Sequence, residues 1–240
     1  MNLFFFAFFA FQFWVVLGVA FLGGCDFSLT AVSWPAMPGG MLSPPSPSAR
    51  AVIFDLDGTL TLPLLDFDAI RREIGLPTQP RTPILEAMEH MAPADRAAAE
   101  VIVCRHEELA AQASELQEGA AEVLAAIRER GIPVAVHTRN SRQSVQTVFA
   151  RHGLSVACIY AREDGPVKPE PASTLAICER FAVRPEDTWV VGDYLFDIQA
   201  GRAVGATTVL MIGDLPVPAY AEQADHVIRR LRELLALLGI

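Results

Sequence analysis

The sequence predicts an α/β protein, a doubly wound parallel sheet that carries a small α-helical cap. Three observations point there. From residue 51 onward, short β-branched apolar runs alternate with amphipathic stretches of helical period. The later runs are separated by about the length that one parallel crossover helix requires. The first connection, about 77 residues between Asp55 and Pro133, is far too long for one helix and demands further elements.

Taken in order, the strands are Ala51–Asp55, Pro133–Thr138, Val156–Tyr160, Thr188–Gly192 and Thr207–Met211. Between the last four lie the amphipathic segments Ser141–His152, Glu170–Phe181 and Leu195–Val204, each able to cover one face of the sheet. Inside the long first connection, Asp66–Ile74, Pro83–Met91 and Ala94–Leu116 read as helices. Gln117–Arg130, with Val123, Leu124 and Ile127 on one face and Gly131 as its stop, reads as a sheet-covering helix. This divides the chain into a leader and linker at 1–49, a core made of 50–60 and 117–240, and a cap at 61–116. In such a fold, ligands sit at the carboxyl ends of the strands.

Composition changes sharply near residue 50. The chain is 52% hydrophobic, and nine of its 14 Phe lie in the first 27 residues. All 19 basic residues and 27 of the 28 acidic ones lie from Arg50 onward, a net charge of −8. That surplus, with no basic run, disfavours a nucleic-acid partner, because phosphate backbones are bound through clustered Lys and Arg. Leu3 to Gly24, interrupted by Gln12 alone, is long enough to cross a bilayer as a helix. Leu22-Gly23-Gly24-Cys25 resembles a lipoprotein lipidation site, and Pro35–Ser48 reads as a Pro/Gly/Ser-rich lead-in. The segment has three readings: residues upstream of a start at Met37 or Met41, a membrane or lipid anchor, or a cleaved signal. The first makes the protein cytoplasmic, and a membrane is a partner only if residues 3–24 anchor it. Cys104, Cys158 and Cys178 show no ligand spacing and read as reduced, buried small hydrophobes.

The chemistry gathers at strand ends. The first strand runs into Asp55-Leu56-Asp57-Gly58-Thr59-Leu60. Strand alternation puts Asp55 and Asp57 on one side, and Gly58 lets the chain turn just beyond them. Two carboxylates so close repel, so a cation or a shared proton must separate their roles. Asp55 suits a nucleophile and Asp57 a general acid and base, its pKa lifted by burial and by Asp55. Thr138 ends the second strand with a hydroxyl, and the backbone N–H groups of Arg139 and Asn140 beyond it suit an anion cradle. Lys168 is the only lysine against 18 Arg, a compact point charge where every other base is a fork. Asp193 and Asp197 flank the end of the fourth strand.

These four clusters, DLDGTL, the strand ending at Thr138, Val167-Lys168-Pro169 and Val190 to Asp197, resemble the ordered motifs of the haloacid dehalogenase (HAD) superfamily over residues 51 to about 211. The resemblance implies a Rossmannoid core and a magnesium site made of the Asp55 side chain, the Asp57 backbone carbonyl and Asp193. Asp197 would support that site or orient Lys168. It also implies phosphoryl transfer, because dehalogenating members lack an acid at the position of Asp57. A phosphonate-cleaving member would need a cap lysine, and this cap has none.

The function expected on this footing is Mg²⁺-dependent hydrolysis of a small phosphorylated metabolite, with a phosphosugar mutase and a non-catalytic phosphate-binding module as the alternatives. Asp66, Asp68, Arg71 and Arg72 follow the first motif, and Arg71 or Arg72 is the expected cap-borne specificity residue. His137 is expected to point into the packing. Cys104, His106 and Glu107 are expected on a cap helix in solvated or packed roles.

Overall fold

The computed structural model describes residues 49–240. The segment at residues 3–24, Cys25, Met37, Met41 and the whole lead-in Pro35–Ser48 lie outside the described residues. Among the described residues no helix is long and apolar enough to cross a membrane.

Six parallel strands form one sheet: β1 (Ala51–Phe54), β2 (Val134–His137), β3 (Cys158–Tyr160), β4 (Thr188–Gly192), β5 (Thr207–Met211) and β6 (His226–Ile228), in the order β3-β2-β1-β4-β5-β6. The chain builds outward from β1 to β3, then returns to the other side of β1 for β4. β1 therefore lies at the topological switch point, with Val52 paired to Val134 on one side and Trp189 on the other. All four β1 residues are fully buried, the continuous apolar run that a central strand covered on both faces requires.

Alternate β1 residues serve opposite faces. Val52 and Phe54 pack with α4 (Ala120–Glu129), α5 (Arg142–His152) and α8 (Glu233–Leu238), through Val123, Ile127, Val145 and Leu234. Ile53 packs with Ala135, Val190 and Ile177 of α6 (Pro171–Phe181), and α7 (Leu195–Val204) lies beside α6 on this face. Between β1 and α4 three helices are inserted: α1 (Phe67–Glu73), α2 (Ile84–Glu89) and α3 (Pro93–Ala113). They share a small core of Ile70, Ile84, Met88, Ala99 and Val103, and α3 packs along α5.

Several elements differ from expectation, beyond shifts of one or two residues at the ends of α1 and α2. α3 stops at Ala113 rather than Leu116, and α4 starts only at Ala120, behind Gly119 in the left-handed region. α5 begins at Arg142, behind its cap Ser141, whose hydroxyl accepts from the Ser144 N–H. β3 begins at Cys158, two residues late. β6 and α8 fall in the tail beyond Met211, to which the sequence reading assigned no element. Cys158 and Cys178 are buried and free, whereas Cys104 is only half-buried.

Candidate active site

The carboxyl ends of β1, β2 and β4 converge on a cavity of about 340 Å³. It is lined by all eight residues singled out in the sequence: Asp55, Asp57, Thr138, Arg139, Asn140, Lys168, Asp193 and Asp197. Its cap wall is largely apolar, with Phe67, Ile70 and Val103 among the lining residues.

Two glycines make this convergence possible. Gly58 turns the chain after Asp57 with φ +84°, a left-handed conformation that costs other residues about 1–2 kcal/mol, and a Cβ there would collide with the Asp193 carboxylate. Gly192 ends β4, and a Cβ there would land on the Asp197 carboxyl group. Their bare backbones let Asp193 approach the first loop and let Asp197 fold back under its own strand. Thr59 Oγ1 then donates to Asp193 Oδ1 at 3.3 Å, and Asp197 Oδ2 accepts from the Tyr194 N–H at 3.1 Å.

Lys168 sits at the centre. Its ammonium donates to Asp55 Oδ1 and to Asp197 Oδ1, each at 2.6 Å, and the side chain is 4% exposed. Burial works against its charge, yet the Coulombic pull of Asp197 and Asp55 wins and holds its pKa above the usual lysine value. Asp55, Asp193 and Asp197 offer carboxylate oxygens within 4.8 Å of one another. One ammonium cannot neutralise three such groups. Burial, then repulsion from Asp55 and Asp197, pushes the Asp193 carboxyl well above the usual range. Burial lifts Asp197 to about 6 despite Lys168. An all-oxygen, excessively negative site of this kind fits a hard divalent cation, the charge it lacks.

Asp57 occupies a different environment. Asn140 Nδ2 donates to its Oδ2, and Thr61 Oγ1 donates to its Oδ1 at 3.2 Å. Its pKa is nevertheless raised, first by burial and then by the negative charge of Glu107. The sequence named Asp55 as the charge that acts alongside burial; the structure puts a cap residue in that role. Thr138 is buried, and its Oγ1 accepts from the Asn140 N–H at 3.2 Å. The Arg139 guanidinium turns to the cap, donating to Glu86 Oε2 at 2.7 Å and to the Lys168 carbonyl while lying 4.7 Å over the Phe196 ring.

Other expectations resolve as follows. Arg71 is buried, lines the cavity, and donates to the carbonyls of Phe67 and Thr82; Arg72 is exposed and does not line it. His137 is buried against Tyr160. His106 pairs with Glu73 on the cap surface. Glu107 is buried, meets Arg162 and the Ser141 N–H, and also lines the cavity. Sequence reasoning left Glu107 aside and missed Arg162. Both are ordinary charged residues in sequence, and only the packing of α3 against the core brings Glu107 to Arg162, just beyond β3.

Comparison with known proteins agrees with this geometry. The profile of the haloacid dehalogenase-like hydrolases matches residues 49–205. A haloacid dehalogenase-like hydrolase domain-containing protein of Arabidopsis thaliana is 30% identical over 172 residues, 68% of this chain and 70% of that one. An N-acetylmuramic acid 6-phosphate phosphatase of Pseudomonas aeruginosa is 28% identical over 214 residues, 79% of this chain and 94% of that one. Among solved structures, a hydrolase from Pseudomonas syringae superposes with a TM-score of 0.69 at 20% identity, over 79% of this chain and 98% of its own. With the motif order, the fold and the family profile in agreement, this chain belongs to the haloacid dehalogenase-like hydrolases.

Proposed function

We propose that the protein is a Mg²⁺-dependent phosphatase acting on a small phosphate monoester. The observation that carries this reading is the division of labour at the end of β1. Burial raises both carboxyls, but Asp55 is held by the Lys168 ammonium, which opposes that rise, whereas Asp57, two residues on, accepts from the neutral Asn140 and Thr61 side chains and feels the negative charge of Glu107.

In the first step an Asp55 carboxylate oxygen attacks phosphorus and the bond to the ester oxygen breaks, leaving an aspartyl-phosphate. Asp57 gives its proton to the departing alkoxide, which leaves as a neutral alcohol. In the second step the Asp57 carboxylate takes a proton from water as the water oxygen attacks phosphorus. The bond to Asp55 breaks and inorganic phosphate leaves. Lys168 opposes the rise that burial imposes on the Asp55 carboxyl and orients it between attacks, and the Thr138 hydroxyl faces the position of the phosphoryl oxygens. Asp55, Asp193 and the Asp57 carbonyl, with Asp197 behind them, would hold the magnesium ion, which when bound neutralises charge on the phosphoryl group. The segment between residues 61 and 116 acts as the cap that keeps bulk water out and whose lining, Arg71 included, selects the alcohol. That a relative is named a phosphatase of a phosphorylated sugar acid supports the monoester class.

The test is p-nitrophenyl phosphate hydrolysis with and without Mg²⁺. Asp55→Asn is expected to lose on the order of 10³-fold or more in kcat, and Asp57→Asn about 10²–10⁴-fold. Equal rates for wild type and Asp55→Asn sink the reading. With hexose 1-phosphates, isomerised sugar phosphate in place of free phosphate assigns the chain to the mutases.

A further inference from the structure

Beside the cavity that Glu107 lines, a second largely buried ion pair joins cap to core. Glu107 of α3 is 4% exposed, and Arg162, just beyond β3, is 11% exposed at its side chain. Arg162 Nη1 donates to Glu107 Oε1 at 2.5 Å and Nη2 to Oε2 at 3.2 Å, a two-point fork. Such a pair is weak grounds for a stability role, because desolvating two charges consumes most of what their attraction returns. Its other contacts are the informative ones.

Arg162 also donates to Glu100 Oε1, from Nε at 3.1 Å and Nη2 at 2.8 Å, and to Cys104 Sγ at 3.3 Å, all on α3; the other bonds of the pair fall on one short loop. Glu107 Oε2 accepts from the Ser141 N–H at 3.0 Å. Arg162 Nη1 donates to the Arg139 carbonyl at 2.9 Å, and the Arg162 backbone N–H donates to the Asn140 carbonyl at 2.9 Å. Three consecutive residues are thus gripped at their backbone. The loop begins at Thr138, and from its middle Asn140 reaches Asp57. We propose that Glu107 and Arg162 are a positioning couple that sets the Thr138–Ser141 loop in its phosphate-receiving geometry from the cap side. Neither touches the reacting atoms; the charge of Glu107 also bears on Asp57, but the positioning acts through the peptide groups of Arg139, Asn140 and Ser141. The proposal rests on the phosphatase reading for what the loop receives.

The neighbouring residue supplies the control. Glu108 also ties α3 to the core, accepting from Thr147 Oγ1 at 2.9 Å, but on the body of α5 and away from the loop. Binding of inorganic phosphate to the full chain with Mg²⁺ is measured by calorimetry, beside kcat and KM for p-nitrophenyl phosphate and the melting temperature. Glu107→Gln and Arg162→Met are each expected to weaken phosphate binding and raise KM about tenfold, the scale of one lost charge-assisted hydrogen bond. The double variant is expected to be no worse than the weaker single, because the two act through one contact. Arg162→Lys, which keeps the charge but not the fork, falls between, and Glu108→Ala stays within about twofold of wild type. Arg162 retains Glu100 as a partner in Glu107→Gln, so that variant keeps its buried cation paired. Folded Glu107→Gln and Arg162→Met chains that bind phosphate like wild type overturn the proposal. So does a Glu108→Ala loss of equal size, which assigns the effect to seating of the cap. A wild-type chain that binds no phosphate also overturns it, whereas one that binds phosphate without turnover overturns only the phosphatase reading.

Discussion

Asp55, Asp193 and Asp197 share one ammonium, and that imbalance has a measurable pH signature. Burial raises Asp193 well above the carboxylate range, with repulsion from Asp55 and Asp197 adding to it, and burial lifts Asp197 to about 6. Between the unfolded carboxyl value near 4 and the raised folded value, the folded chain binds more protons than the unfolded one, so without metal its stability falls as pH rises through this window. For Asp197 alone the loss is on the order of 2–3 kcal/mol. A divalent cation reverses the sign of the problem, because it needs the carboxylates ionised and must displace those protons at low pH. The rise in melting temperature on adding Mg²⁺ is therefore expected to be larger at about pH 7.5 than at about pH 5. Equal shifts at both pH values would show that these carboxylates do not hold the ion.

At the scale of elements, the turn after β1 does the positioning, and Gly58 is its pivot. Gly58→Ala places a side chain in a left-handed conformation and drives its Cβ into the Asp193 carboxylate. The backbone penalty alone is about 1–2 kcal/mol. Urea unfolding is expected to show at least that loss, and Mg²⁺ affinity to fall with it, because the carboxylate displaced is one of the cluster. Retained Mg²⁺ affinity in the folded variant would mean that the close approach of loop and Asp193 is dispensable. Gly58 was legible in the sequence, since an Asp-Gly step closing an apolar strand marks a turn. β1, β2 and β4 were legible for the same reason, as β-branched runs closed by Asp, Thr or Gly. β6 is three residues long, and α8 is the six-residue run Glu233–Leu238, too short to show a helical period. Glu107 was illegible: 34 residues separate it from Ser141 and 55 from Arg162, and only the packing of α3 against the core closes those distances.

On the scale of the whole molecule, the switch point beside β1 opens a crevice and the three inserted helices cover it. What remains is about 340 Å³, at the small end of metabolite-binding pockets. The cover is fastened to the core by Glu86 on Arg139, Glu100 and Glu107 on Arg162, and Glu108 on Thr147. A phosphate carried on a polypeptide would have to bring flanking backbone past these ties, so its reactive geometry would come at the expense of several charge-assisted hydrogen bonds, each about 1.5–3 kcal/mol. A small monoester breaks none of them. The expected result is a kcat/KM for p-nitrophenyl phosphate at least 10²-fold above that for a phosphoserine peptide under the same Mg²⁺ conditions. Comparable values would show that the cap opens freely and that the enclosed volume does not select substrate size. The same comparison in Arg162→Met separates two sources of the preference. If the ties impose it, loosening the cap narrows the ratio even as both rates fall. If the apolar lining around Phe67, Ile70 and Val103 imposes it by gripping the leaving alcohol, the ratio stays where it was.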